Sequence, residues 1–150
     1  MKSWIIVICL IIVTALMLSG CATTSAPVLP AAKEVAVSYT YDEFMAQKNI
    51  TKDIEVKIGE KIVVTLPSNS ASTGFSWDQK AEISDPQVLE QTKHETVAPA
   101  DTKMVGAPGA DVFTFRSLEL GFSKVLLKYS RPWEGGEKGE WTFTLNVTVK

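Results

Sequence analysis

From Ile50 to the C-terminus the sequence is a succession of short β-branched and aromatic runs, each ended by turn chemistry, with no sustained helical period. "ITKDIEVKIG" sets Ile50, Ile54, Val56 and Ile58 at even spacing against charged residues, which predicts one buried and one wet face. Gly59-Glu60 turns this run into "KIVVTL". "GFSWDQK", "QVLEQTKHETV", "DVFTFRSLEL", "FSKVLLKYS" and "WTFTLNVTVK" complete the series. In "DVFTFRSLEL", Val112 and Thr114 fall on one face, Phe113 and Phe115 on the other. About seven or eight such strands predict an all-β fold, an immunoglobulin-like β-sandwich. "YDEFMAQKN" fits either an opening strand or a short helix. Trp77, Phe113, Phe115, Trp141 and Phe143 are the candidate core aromatics, and the alternation is not expected to let all five face one core.

The N-terminus is of another kind. Lys2 precedes the apolar run "WIIVICLIIVTALML", and Ser19 and Gly20 follow it, the pattern of a signal peptide over residues 1–20. The junction "LSGC" resembles the lipobox of bacterial lipoproteins, which implies that Cys21 is lipidated and becomes the mature N-terminus. The alternative is an uncleaved membrane anchor. Both place the remaining chain outside the cytoplasm, bound to the membrane of a bacterial cell envelope. Ala22 is not the Asp that typically retains lipoproteins at an inner membrane, so a Gram-negative cell would carry the protein on its outer membrane. Residues 21–36, rich in Ala, Pro, Thr and Ser, read as a flexible tether, and 37–150 as one domain.

Only two cysteines are present, Cys9 in the signal and Cys21 at its end, so the domain has no internal disulfide, no cysteine nucleophile and no cysteine-based zinc site. His94 is the single histidine; it lies in a polar run without a nucleophile motif and is expected on a solvent-facing strand. Without Lys2 the chain carries 14 basic and 17 acidic residues, a formal charge of -3, which gives no basic stripe for nucleic acid. No catalytic constellation is visible, and a monomer without cofactor is expected.

Three breaks between strands are unusual. "LPSNSASTGFSWD" places six small or polar residues and Gly74 where a two-residue hairpin would serve. "APADTKMVGAPGA" and "RPWEGGEKGE" are the other two. Alternate connections of a sandwich share an end, so all three are expected on one rim. Pro132 fixes its own φ and restricts Arg131, presenting Trp133 at a defined angle, and Trp and Arg are the residue types most enriched in binding hot spots. Phe75 and Trp77 enter a strand at period two, which favours core packing for both.

The three stretches resemble the chagasin-like inhibitors of papain-type cysteine peptidases. That family carries Asn-Pro-Thr-Thr-Gly before Tyr or Phe in one loop, Gly-x-Gly-Gly in a second and Arg-Pro before Trp or Phe in a third. "STGFSW" (Ser72 to Trp77) matches the back half of the first, "VGAPG" (Val105 to Gly109) part of the second, and "RPWE" (Arg131 to Glu134) the whole of the third. Ser70 and Ala71 stand where the family has Asn-Pro; Asn69 serves instead only if the loop carries one extra residue. The loss of that proline is expected to leave the loop less rigid. Pro108 replaces the first Gly of the second pair, removing a backbone donor and forbidding positive φ. The resemblance implies a reversible, non-covalent inhibitor of papain-like peptidases that blocks the active-site groove. The contacts it implies are Asn69, Ser70, Ala71, Ser72, Thr73, Gly74 and Phe75, then Gly106, Ala107, Pro108 and Gly109, then Arg131, Pro132 and Trp133. Thr73-Gly74 would form the tip of a thin backbone wedge. A non-inhibitory immunoglobulin-like envelope or adhesion module is the other reading of such a sandwich.

Overall fold

Alternation in the sequence becomes two sheets facing each other. The computed structural model describes residues 33–99 and 106–150. The signal segment, Cys21 and the tether as far as residue 32 lie outside the described residues. Within them run nine strands and two short helices: β1 (Glu34–Ser38), α1 (Tyr41–Ala46), β2 (Asn49–Val56), β3 (Lys61–Ser68), α2 (Ser70–Thr73), β4 (Ser76–Trp77), β5 (Glu82–Ile83), β6 (Leu89–Val97), β7 (Gly109–Ser117), β8 (Gly121–Ser130) and β9 (Trp141–Val149). One sheet has the order β1-β3-β7-β6; the other has β2-β9-β8-β4, with β5 also on β8. The result is the expected all-β, immunoglobulin-like sandwich. β1 takes in Glu34 to Ala36, three residues that composition alone assigns to the tether, because it pairs in parallel with β3 from Glu34↔Lys61 onward.

The inward face follows the period-two pattern closely. Trp141, Phe143, Leu145, Val147 and Val149 of β9 are buried in strict alternation, as are Phe113 and Phe115 of β7. All five candidate aromatics, Trp77, Phe113, Phe115, Trp141 and Phe143, join one core, contrary to the sequence expectation. They can do so because the two sheets present their inward faces to a common interior, one supplying Phe113 and Phe115 and the other the rest. Of the even-spaced residues in the first run, Ile50 and Val56 are buried, whereas Ile58 lies past the strand end and is exposed.

"YDEFMA" is a helix, and its reason lies one residue upstream. The Thr40 side chain accepts from the Glu43 N–H while the Glu43 carboxylate accepts from the Thr40 N–H at 2.7 Å, a capping box that closes the first turn. This orients Phe44 into the core, fully buried against Trp77 and Trp141. The same bonds, first from the Thr40 backbone and then from its hydroxyl, hold the Glu43 carboxyl below the usual glutamate range. Its folded value is therefore lower than its unfolded value, so the box stabilises the helix above the ordinary glutamate pKa and loses that effect as pH falls through the lowered one. Thr40→Ala is expected to reduce stability by about 1 kcal/mol at neutral pH. Denaturant titrations of the two proteins should differ at pH 7, and the difference should narrow in acid, where the Glu43 carboxylate no longer accepts from the Thr40 hydroxyl. It should not vanish, because the hydroxyl still caps the Glu43 N–H.

Candidate functional site

Three connections meet at the end of the sandwich where β3, β6 and β8 terminate. In the first, the Asn69 N–H donates to the Tyr129 hydroxyl at 3.0 Å, and the chain coils into α2. The Thr73 hydroxyl donates to the Asn69 carbonyl at 2.7 Å and accepts from the Phe75 N–H at 3.2 Å. Gly74, with φ of 72°, ends the turn in the left-handed region that favours glycine. The segment is thus a compact helical turn with Ser70, Ala71 and Ser72 exposed on its outer side and Gly74 at its close. The order expected to be lost with the family's proline is supplied by this closed network instead.

The second connection is described from Gly106 onward; residues 100–105, Val105 among them, lie outside the described residues. The Gly106 carbonyl accepts from the Asn69 side-chain amide at 3.2 Å, which ties this loop to the first. Pro108 is exposed and Ala107 half-buried, and Gly109 opens β7 opposite Ser68. A Cβ on Gly109 would lie 2.4 Å from the Val97 carbonyl oxygen, so close strand approach excludes any side chain there.

The third connection is fastened to itself. The Arg131 N–H donates to the Glu137 carbonyl at 2.8 Å, and the Lys138 ammonium donates to the carbonyls of Arg131 and, at 3.1 Å, Trp133. Trp133 is left 51% exposed, with its ring edge over Gly74. A Cβ on Gly74 would come within 2.8 Å of that ring, and one on Gly136 within 3.1 Å of its Nε1. Behind Trp133 the Arg131 guanidinium lies 4.6 Å above the Phe75 ring, with its buried Nε left without a partner. Phe75 stacks on Tyr129, Tyr129 on Trp141 and Trp141 on Phe44, an aromatic column running from rim to core.

All three sequence stretches therefore share one rim. Phe75 is the exception among the residues proposed for contact: it is buried, as its strand period suggests, and supports Arg131 from below. His94 also departs from expectation. It is not solvent-facing but stacks on Phe113 at 4.3 Å, with Nε2 2.9 Å from Asp111 Oδ1, which also accepts from the Thr96 hydroxyl. Asp111 is buried in β7 and needs these partners, so the His-Asp pair braces the strands that lead into the second loop. Two residues at the rim escaped the sequence reading. Met45, 61% exposed on α1, borders a cleft of about 520 Å³ together with Thr73, Arg131 and Glu140, and Lys138 pins the third loop. Glu140 is held by Lys48 at 2.6 Å, and this bond, with help from Glu137, keeps its carboxyl below the ordinary range.

A sequence profile described as "Chagasin family peptidase inhibitor I42" matches residues 55–147. The chain belongs to the chagasin family. It is 32% identical to chagasin from Trypanosoma cruzi over 93 residues, 61% of this chain and 84% of that protein. It is 25% identical to amoebiasin-2 from Entamoeba histolytica over 115 residues, 75% of this chain and 89% of that one. Among solved structures, the cysteine protease inhibitor EhICP2 of Entamoeba histolytica superposes with a TM-score of 0.63 at 22% identity, covering 81% of this chain and all of the other. PbICP-C, solved in complex with falcipain-2, gives 0.53 at 17% identity, covering 79% and 100%. At such identities these two structures speak for the fold. Family membership makes the chain a peptidase inhibitor rather than an enzyme, and displaces the adhesion-module reading.

Gly74→Ala should place a methyl group in the Trp133 ring and force a residue with Cβ into positive φ, a strain of roughly 1–2 kcal/mol. The Trp133 indole N–H resonance of the variant should move in a proton–nitrogen spectrum while those of Trp77 and Trp141 stay. An unmoved Trp133 signal would break the proposed contact.

Proposed function

We propose that this inhibitor acts on papain-like cysteine peptidases by seating the three-loop rim across the active-site groove, reversibly and without covalent chemistry. The observation that carries this reading is the exposed Trp133, backed by Gly74 and Arg131 at the junction of the first and third loops. An indole held in place before association loses little freedom on docking, and it offers a broad apolar face with an N–H still able to find a partner. The helical turn contributes the small exposed side chains of Ser70, Ala71 and Ser72, which let the backbone come close to a groove floor. Pro108 leaves the second loop with fewer donors and the smallest share of the contact.

Trp133→Ala is expected to weaken inhibition of papain roughly thirtyfold, ~2 kcal/mol, with little change in melting temperature. A collapsed melt would instead make Trp133 part of the fold. Full recovery of peptidase activity on dilution should accompany the native inhibitor, and a stable acyl-enzyme would contradict the mechanism.

The second part of the reading concerns where the inhibitor works. "LSGC" supports lipidation of Cys21 and a place on the membrane of a bacterial envelope. Mass spectrometry of the native N-terminus should find Cys21 first and acylated; an intact Met1 end or a bare Cys21 would refute it.

A further inference from the structure

Large exposed apolar side chains sit at both ends of the sandwich. Met45, Val97 and Trp133 belong to the rim; Ile58, Leu120 and Phe122 belong to the opposite end, the base. At the base, Ile58 is 53% exposed in the β2–β3 turn, Leu120 65% in the β7–β8 turn, and Phe122 56% at the start of β8. The two turns are joined: the Gly59 N–H donates to the Ser117 carbonyl at 3.0 Å, and the Ser117 hydroxyl donates to the Lys57 carbonyl at 2.6 Å. Phe122 lies beside them, because its neighbour Gly121 pairs with Val149 and Val149 pairs with Val56. The peptidase-facing rim makes no use of any of these residues.

The direction of the chain says what this end faces. β1 runs parallel to β3, so Glu34 begins opposite Lys61 at the base, and the Lys33 carbonyl accepts from the Lys61 N–H at 3.1 Å. The segment that carries Cys21 and the apolar N-terminal run therefore joins the domain at the base. At most about 45 Å of extended chain separates Cys21 from Glu34. At the base Lys61 pairs with Glu34 at 2.8 Å and Lys150 with Glu55 at 2.7 Å, and the further basic residues Lys33, Lys57 and Arg116 are matched in number by Glu60, Glu90 and Glu119. Attraction to anionic lipid is therefore slight, and what the base offers a bilayer is apolar.

We propose that the base is a lipid-facing surface: Ile58, Leu120 and Phe122 dip into the interfacial layer of the phospholipid bilayer that anchors the chain, and the rim points away from it. This rests on the anchoring reading above. The turns keep their backbone groups at headgroup depth, where water still satisfies them, and only the side chains reach acyl chains. Phe and Leu are among the residues that interfacial segments turn toward the acyl boundary.

The test uses the full-length chain in phosphatidylcholine vesicles containing a diazirine-labelled acyl chain, irradiated and then mapped by peptide mass spectrometry. Lipid adducts are expected on the peptides holding Ile58 and Leu120 to Phe122, and not on the one holding Trp133. Raising the salt concentration should leave them unchanged. Substituting Ile58→Ser, Leu120→Ser and Phe122→Ser together should lower these adducts about tenfold, with the melt and papain inhibition preserved. Adducts confined to residues 1–32 would overturn the proposal and leave the anchoring reading intact. Failure of the chain to float with vesicles would overturn both. A concentration-dependent dimer abolished by the same substitutions, without base adducts, would show that a second copy covers this end and would equally overturn the proposal.

Discussion

The column of stacked rings from Phe44 through Trp141, Tyr129 and Phe75 to the Arg131 guanidinium is the interaction on which the rest of the molecule leans. Each member comes from a different element: α1, β9, β8, the exit of the first loop and the third loop. A sandwich without a disulfide must hold its sheets together by packing, and large rings supply much apolar area with few rotatable bonds. The same column reaches the surface, so what stabilises the interior also fixes the angle at which Trp133 is offered. Tyr129 has a second task, since its hydroxyl takes the N–H that begins the first loop.

Arg131 shows how narrow the solution is. Its planar group fits between Phe75 and Trp133, where an ammonium on a flexible stem would not stack. That placement leaves a buried Nε–H unsatisfied, a cost tolerated because both ring faces attract the cation. Gly74 and Gly136 are glycines for the same local reason: each clears space for the indole or for the Arg131 stem.

The strands, their inward faces and the shared rim were legible in the sequence because period-two alternation and turn residues act locally. The three loops were legible through their order and their resemblance to a family. What escaped depends on distant partners. Ser70 to Thr73 is too short a helix for any period to announce. β1 lies in an Ala-rich stretch and is a strand only because β3 offers it an edge. His94 sits in a polar run, yet a buried Asp111 draws it inward. The opening helix did leave a local signal, Thr40 three residues before Glu43, which settles the ambiguity of the following residues once it is read as a capping box. Met45 carried no signal, since an exposed methionine on a short helix is unremarkable until its neighbours are known.

β9 is the last strand in sequence and a central one in space, flanked by β2 in parallel and β8 antiparallel. Its partners in β2 lie more than ninety residues earlier, as the register Asn49↔Thr142 shows. No intermediate length of the nascent polypeptide can therefore close the second sheet, and the aromatic column lacks Trp141 until the same moment. Such long-range pairing makes folding slow and late, because loop closure must precede the contacts that reward it. The second sheet thus stays open until synthesis has supplied the residues of β9.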